Sequence, residues 1–339
     1  MTPTTEREAE APVEQPEPKQ DRLHGGWRIV AHKEFTDHIH SVRFVILVVL
    51  MALAGLASVH SASGPIRSAA SATTDVPSIF LYLFTLAPDR VPAFHEFLGI
   101  LGPLLGIAFG FDAVNGERSQ RTLPRLVAQP IHRDEVINGK FAAGIGAISL
   151  ALAVVMAIVV GYGMLRLGIG PTTSDFVRMI AFFVVAVVYI ALWLALAIAL
   201  SVVTRRAATA AFAAIAIWLV FTLFGGLIAG LVADTVHPVP SANPTPEVVL
   251  ANARLELNVR RISPSQLYQE ATGVLLNPAR QTTGLVVDED PTTSQALPST
   301  LSLSESLVLA WWQVSVLVGA VVVLFAGAYA IFMRQEVRA

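Results

Sequence analysis

The sequence predicts an all-α integral membrane protein with six transmembrane helices, and two observations support this fold class. Hydrophobic residues make up 54% of the 339 residues and charged residues only 14%, whereas soluble domains carry roughly a quarter charged residues. Six apolar runs also approach the length of about 20 residues that a helix needs to cross a bilayer. The absence of cysteine excludes disulfides and thiolate metal sites, and the net charge of −2 gives no electrostatic reason to expect nucleic acid.

Two segments precede the first apolar run. Residues 1–22 are acidic and rich in proline, without periodic apolar residues, which predicts a disordered cytoplasmic tail. Residues 23–43 have Trp27, Val30 and Phe35 at helical spacing among charged residues, which predicts an amphipathic entry helix in the membrane interface. Three histidines there are conceivable metal ligands, but headgroup-facing side chains explain them equally well, so we assign no metal site: His32, His38 and His40.

The six apolar runs are the predicted spans. They are Phe44–Ala62, Phe94–Val114, Phe141–Leu165, Met179–Val203, Ala207–Val232 and Leu307–Phe332. The first five lie in residues 44–233, and the sixth lies with a short cytoplasmic tail in residues 306–339. We therefore expect a multi-pass protein of the plasma or inner membrane.

The distribution of basic residues favours a cytoplasmic location for both termini, because Lys and Arg accumulate on cytoplasmic segments. In this orientation thirteen basic residues lie inside. Two of them, Arg205 and Arg206, belong to the very short turn Thr204–Arg206 between the fourth and fifth runs. Only four lie on the short outer segments: Arg67, Arg90, Arg166 and Arg178.

The second run carries a stripe of small residues, Gly102, Gly106 and Gly110, at four-residue spacing. Small residues at this interval allow two membrane helices to approach closely. The stripe predicts either packing within the chain or a moving or dimer-facing helix at the transport path. The same run begins with His95-Glu96, but Gly99 replaces the second histidine of a zinc-protease signature. We therefore expect His95 and Glu96 at the outer water boundary.

Residues 234–305 form the largest polar segment and are predicted to be a helical extracytoplasmic cap between the fifth and sixth spans. One helix is expected over Pro246–Ile262. A second begins after Ser263, which is placed to cap it, with Pro264 at the first helical position. The cap is an external gate, a dock for an extracytoplasmic partner, or a passive lid, and the sequence leaves these open.

The longest charged interruption in the first two-thirds of the chain is the Phe111–Lys140 loop, with five basic residues. Leu123, Leu126 and Val127 share one face of a short helix, and Pro130 ends it. A new helical pattern starts with acidic residues near Asp134, which suit a helix N-terminus. Such an amphipathic element on one loop predicts a soluble partner.

The order D-x-x-x-x-E-R, T-L-x-x-L, P-I-x-R and G-K in this loop resembles the permease subunits of ABC-2 type ABC transporters. It is most similar to the branch with the permease of nitrous-oxide-reductase maturation. Arg121 and His132 depart from the usual Gly and Ser or Thr. The matching residues are Asp112, Glu117, Arg118, Thr122, Leu123, Leu126, Pro130, Arg133, Gly139 and Lys140.

The resemblance implies that residues 112–140 form a cytoplasmic coupling helix that binds a separate ATPase subunit. Two ATPase copies and a second permease subunit, identical or closely related, would complete an exporter. Glu117, Arg118 and Arg133 would make polar contacts with the ATPase, and Leu123 and Leu126 would fill its groove.

The chain itself contains no G-x-x-x-x-G-K-[ST] phosphate loop, so we expect a non-catalytic subunit without a cofactor, powered by a partner chain. Two other classes remain as alternatives. One is an ATP-independent carrier or channel, although its usual intramembrane acids and histidines do not line the interiors of the apolar runs, where Glu96 and Asp112 lie only near the ends. The other is a membrane scaffold that binds a partner through the cap. The transported substrate is not specified.

Overall fold

The computed structural model describes residues 26–72, 78–88, 91–119, 132–240, 243, 245–284 and 300–335. Regular structure in these residues is helical, without a strand. The entry helix is Gly26–Ile39. A helix of five residues, Asn115–Ser119, here called the loop helix, overlaps the end of the second span, whose regular α-helix ends at Gly110. The first span belongs to a helix that continues to Ala72.

Six helices in the described residues are long and apolar enough to cross a membrane, which confirms the six predicted spans. In order, from first to sixth span, they are Val42–Ser68, Phe94–Glu117, Arg133–Leu167, Thr173–Val203, Ala207–Val236 and Leu303–Arg334. Their even number brings both ends of the spanning bundle to the same side. The fourth span is mostly buried, whereas few residues of the fifth are buried.

Several spans begin earlier than their apolar runs because polar residues form the first helical turns. The fourth begins at Thr173 rather than Met179, since Thr172 and Asp175 cap its N-terminus reciprocally at 3.0 and 3.2 Å. The third begins at Arg133, where the Glu135 carboxylate accepts from the His132 backbone N–H at 3.2 Å. His132 provides no side-chain cap of its own.

The fifth span is not one regular helix. An α-helix over Ala207–Leu219 passes into a π-helical turn over Val220–Phe224 and resumes over Gly225–Val236. The hydroxyl of Ser263 in the cap donates to the Phe221 carbonyl at 3.5 Å. A cap residue therefore lies against the backbone at the point where the helical ladder changes.

The glycine stripe of the second span packs against the fourth span of the same chain. A methyl group on Gly106 would lie 2.5 Å from the Ile190 carbonyl oxygen and 2.9 Å from the Leu194 nitrogen. Equivalent groups on Gly102 and Gly110 would also overlap this helix. The stripe is thus covered within the chain, which leaves it no free face for a second copy.

The cap contains the predicted helix pair, the first cap helix at Pro246–Arg260 and the second at Pro264–Leu276. Ser263 is the N-cap residue, although its side chain makes no capping bond. Most of the second cap helix is buried: Tyr268 stacks on Tyr189 of the fourth span at 4.4 Å. The second cap helix is therefore packed among the spans and reaches the middle of the fourth.

The expectation that His95 lies at a water boundary is wrong, because the cap and a short helix cover it. His95 is 9% exposed, and its Nδ1 is 2.8 Å from the Phe84 carbonyl oxygen. Phe84 belongs to Tyr82–Thr85, a short buried helix that was not predicted. The neighbouring Glu96 accepts from the Ala93 N–H at 3.1 Å and so caps its own helix.

Two buried charges hold the cap against the spans. Arg178 is 2% exposed and donates from Nη1 to the Leu275 carbonyl and to Ser306 Oγ, both at 3.0 Å. Glu270 is also 2% exposed and accepts from both Arg261, at 3.0 and 3.1 Å, and Gln313, at 3.0 Å. The second cap helix is thereby tied to the fourth and sixth spans.

Candidate functional site: the base of the Phe111–Lys140 loop

Lys140 lies at the centre of the loop base with its side chain 5% exposed. Its Nζ is 3.0 Å from Glu34 Oε1 in the entry helix and 2.8 Å from Glu117 Oε1 in the loop helix. We call Glu34, Glu117 and Lys140 the loop-base triad. It joins the entry helix, the loop helix and the third span through charged groups that are largely withdrawn from water.

Gly139, the residue before Lys140, allows the entry helix to lie directly on the third span. A methyl group at Gly139 would be 2.7 Å from Val30 Cβ and 2.8 Å from the Trp27 carbonyl oxygen. Glu135, one turn earlier, accepts a hydrogen bond from the Gly26 N–H at 3.1 Å. Its negative charge stabilises the N-terminus of the entry helix, which is the positive end of the helix dipole. Both residues of the Gly-Lys pair therefore stabilise the fold: Gly139 permits the close helix contact and Lys140 forms the ion pairs.

A second ion pair joins the first span to the end of the second. Arg43 Nη1 is 2.7 Å from Asp112 Oδ2, and the Arg43 guanidinium lies 4.9 Å from the centre of the Phe111 ring. The Arg43 side chain is 53% exposed, so the pair contributes at most about 1 kcal/mol to stability.

Hydrogen bonds attach the loop base to the cytoplasm-facing turn predicted at Thr204–Arg206. The backbone N–H groups of Val114 and Asn115 both donate to Ser201 Oγ, at 3.1 and 3.2 Å. The Asn115 side chain donates to Thr204 Oγ1 at 3.0 Å. Asn115 and Ser201 were not predicted as site residues, because only the fold brings these segments together.

Arg133 connects the other end of the loop to the end of the sixth span. Its Nη1 donates to the Gln335 carbonyl oxygen at 3.2 Å, and the Gln335 side chain donates to the Val202 carbonyl at 3.0 Å. The charged groups of Asp112, Glu117, Arg133 and Lys140 thus make contacts within the chain.

The rest of the motif lies outside the described residues. Thr122, Leu123, Leu126 and Pro130 fall in residues 120–131, and the Arg118 side chain is outside the description as well. The structure therefore assembles the base of the loop, and the coupling role of its tip stays a prediction.

The electrostatics of the entry helix follow from its burial against the loop base. Burial would raise the pKa of Glu34, but the ammonium groups of Lys140 and Lys33 outweigh it and lower the pKa below its ordinary value. Burial lowers the pKa of His38, whose ring lies 4.8 Å from that of Phe109. Glu34 is therefore charged and His38 neutral at pH 7.

The histidines of the entry helix do not gather into a metal site in the structure. His40 Nδ1 bonds with the Thr36 carbonyl oxygen at 2.8 Å, while His38 faces Phe109. Within the part of the chain that the structure describes, no three histidine or acidic side chains are grouped to hold a metal ion.

Six spans and a charged loop with an internally bonded base define a multi-pass protein of the plasma membrane. The chain belongs to the ABC-2 family: the model of the ABC-2 family transporter proteins matches residues 28–337. It is accordingly a transmembrane subunit of an ABC transporter.

A weaker similarity links the chain to a Stutzerimonas stutzeri protein described as "Probable ABC transporter permease protein NosY". The two sequences are 28% identical over 86 residues, which are 25% of this chain and 29% of that protein. The similarity therefore spans less than a third of the relative's length.

Proposed function

We propose that this chain is the permease of an ABC exporter and that a separate ATPase subunit drives it through the Phe111–Lys140 loop. The observation that carries this proposal is the loop-base triad, which links the loop helix to the entry helix and the third span at 2.8 and 3.0 Å. A loop attached in this way transmits a push on its tip to several membrane helices together.

The structure changes which loop residues are best suited to contact the ATPase. Glu117 and Lys140 bond with each other inside the chain, and Arg133 bonds with Gln335. We therefore assign the ATPase contact to the apolar face of the tip, Leu123 and Leu126, and assign the charged residues to holding the base.

ATP binding would bring two ATPase subunits together and displace both loop tips in a dimer of permeases. The first and fifth spans leave large apolar faces exposed, with Leu53 60% and Phe212 74% exposed. Lipid or the second permease copy covers these faces, because uncovered apolar helices are not stable in water.

Leu126→Asp tests the coupling contact. Because a carboxylate is costly to bury in an apolar groove, the variant should lose co-purification with the ATPase subunit that the wild type binds. Val239→Asp is the matched control, since Val239 is 39% exposed just beyond the end of the fifth span that is remote from the loop. Full ATPase binding by Leu126→Asp, or equal loss in the control, would refute the assignment.

The orientation with both termini inside is tested separately, and the chain has no native cysteine to interfere. A membrane-impermeant maleimide applied to intact cells should label Val239→Cys but label Arg125→Cys only after lysis. Labelling of Arg125→Cys in intact cells would place the loop on the wrong side for an ATPase.

A further inference from the structure

Polar and basic side chains form a row between the first and third spans, at the ends remote from the loop-base triad. His60 Nδ1 is 3.0 Å from the Tyr162 hydroxyl. One turn further along, Arg166 places Nε and Nη2 each 3.4 Å from Ser63 Oγ. Arg67 follows Ser63 by four residues, so it continues the same face of the first span.

The row lies at the depth where a bilayer changes from hydrocarbon to headgroups. From Arg43 to His60 is 17 residues, or about 26 Å along a helix, and from Lys140 to Arg166 is 26 residues, or about 39 Å. The hydrocarbon core is about 30 Å thick. His60 and Tyr162 therefore lie near the far edge of the hydrocarbon, and both arginines lie in the headgroup layer.

The positive charge of this row has no acidic partner among the described residues, where no carboxylate pairs with Arg67 or Arg166. Arg166 is partly buried, and among the described residues its guanidinium makes only two long contacts, both to one hydroxyl. The planar, multidentate guanidinium group is well matched to phosphate oxygens. An anion with a phosphate group would satisfy these donors.

Exposed apolar ridges lead up to the row on both helices. Leu150, Val154 and Ile158 are each 38–39% exposed and precede Tyr162 and Arg166 in four-residue steps. On the first span, Ile46, Val49 and Leu53 are 50–60% exposed and precede His60. Acyl chains lying along these ridges would place the headgroup phosphate beside Arg166.

We propose that the far ends of the first and third spans bind the headgroup of an anionic phospholipid, with Arg166 and Arg67 on its phosphate and Tyr162 and His60 below. The continuity of apolar ridge and basic row selects a lipid over a free anion. This site is distinct from the loop and does not depend on the exporter proposal.

The test is retention of phosphatidylglycerol by the purified full-length chain, measured by native mass spectrometry against phosphatidylcholine of the same acyl composition. The wild type should retain phosphatidylglycerol in preference. Arg166→Gln should weaken that binding about tenfold, since bonds between charged groups are the strong ones in such a site. Arg67→Gln should weaken it less, and it provides a readout at an exposed position if Arg166→Gln fails to fold.

Arg206→Gln is the matched control, because Arg206 is exposed at the opposite ends of the spans and its loss changes net charge equally. It should retain phosphatidylglycerol like the wild type. Equal loss in this control, equal retention of the two lipids by the wild type, or unchanged retention in Arg67→Gln and any folded Arg166→Gln would overturn the proposal. Displacement by excess inorganic phosphate would show a free-anion site instead.

Discussion

Replacing Lys140 by methionine should destabilise the permease more than replacing any exposed lysine, because it removes the shared partner of two acidic groups. Met keeps most of the apolar stem while deleting the ammonium. The Glu34 and Glu117 side chains are only 15% and 14% exposed, so both carboxylates would remain in a site that water reaches poorly. Removing one partner of a buried ion pair costs about 3–5 kcal/mol, and residual exposure places our expectation near the lower end, about 3 kcal/mol.

Thermal unfolding in detergent, monitored by tryptophan fluorescence, measures this loss of stability. A thiol-reactive dye is unsuitable because the chain has no cysteine. The triple variant Lys140→Met, Glu34→Gln, Glu117→Gln should regain most of the melting temperature, because neutral groups of similar shape need no counter-charge. Lys33→Met is the matched control: Lys33 is 64% exposed and pairs at 3.3–3.4 Å, so its loss should cost less than about 1 kcal/mol.

Two results would refute this account of the triad. One is a Lys140→Met protein that melts with the wild type. The other is a triple variant that melts no higher than the single one, since the loss would then come from packing of the stem rather than from unpaired carboxylates.

Three further predictions concern other parts of the fold. Gly106→Ala should lose about 1–3 kcal/mol by overpacking against the fourth span, whereas Gly161→Ala, with open space around its Cβ, should melt at or above the wild-type temperature; equal melting of the two would contradict the packing. Because folding lowers the pKa of His38, its imidazole binds a proton at a higher pH in the unfolded chain than in the folded one. Stability should therefore fall as the pH drops through about 6.5. His38→Phe should show a smaller fall in melting temperature between pH 8 and 5.5, and an unchanged fall would exclude His38 as the source. Arg178→Met should expose the cap to limited trypsin digestion, and wild-type resistance would show that its hydrogen bonds to the Leu275 and Leu301 carbonyls do not hold the cap.

The six spans could be predicted because each is a long apolar run, and burial in lipid requires only length and hydrophobicity. The ends of the spans were less accessible to prediction. Asp175 and Arg178 extend the fourth span beyond its apolar run, since a capping pair and buried hydrogen bonds compensate the polar groups. The hydrogen bonds of Arg178 join residues that are distant in the sequence, so local composition does not reveal them.

Contacts between distant segments account for most of the remaining differences. Lys140 and Glu117 belong to the loop motif, but Glu34 lies 106 residues before Lys140, and nothing in its local spacing identifies it as a partner. The burial of the second cap helix was missed for the same reason. This burial also weakens a simple test of the scaffold alternative, because deleting residues 234–305 would uncover Tyr189 and the ends of the spans.

We propose different tasks for the base and the tip of the loop, and this division can be tested. Its base is bonded inside the chain through Lys140 and Asn115, so changes there act on the stability of the permease. The tip carries the predicted apolar face, so Leu126→Asp should abolish ATPase binding. Surface substitutions usually change the free energy of unfolding by less than about 0.5 kcal/mol, so the isolated Leu126→Asp permease should melt close to the wild-type temperature. If Leu126→Asp instead lowered the melting temperature as far as Lys140→Met, the tip would be part of the folded base, and the ATPase contact would have to lie elsewhere.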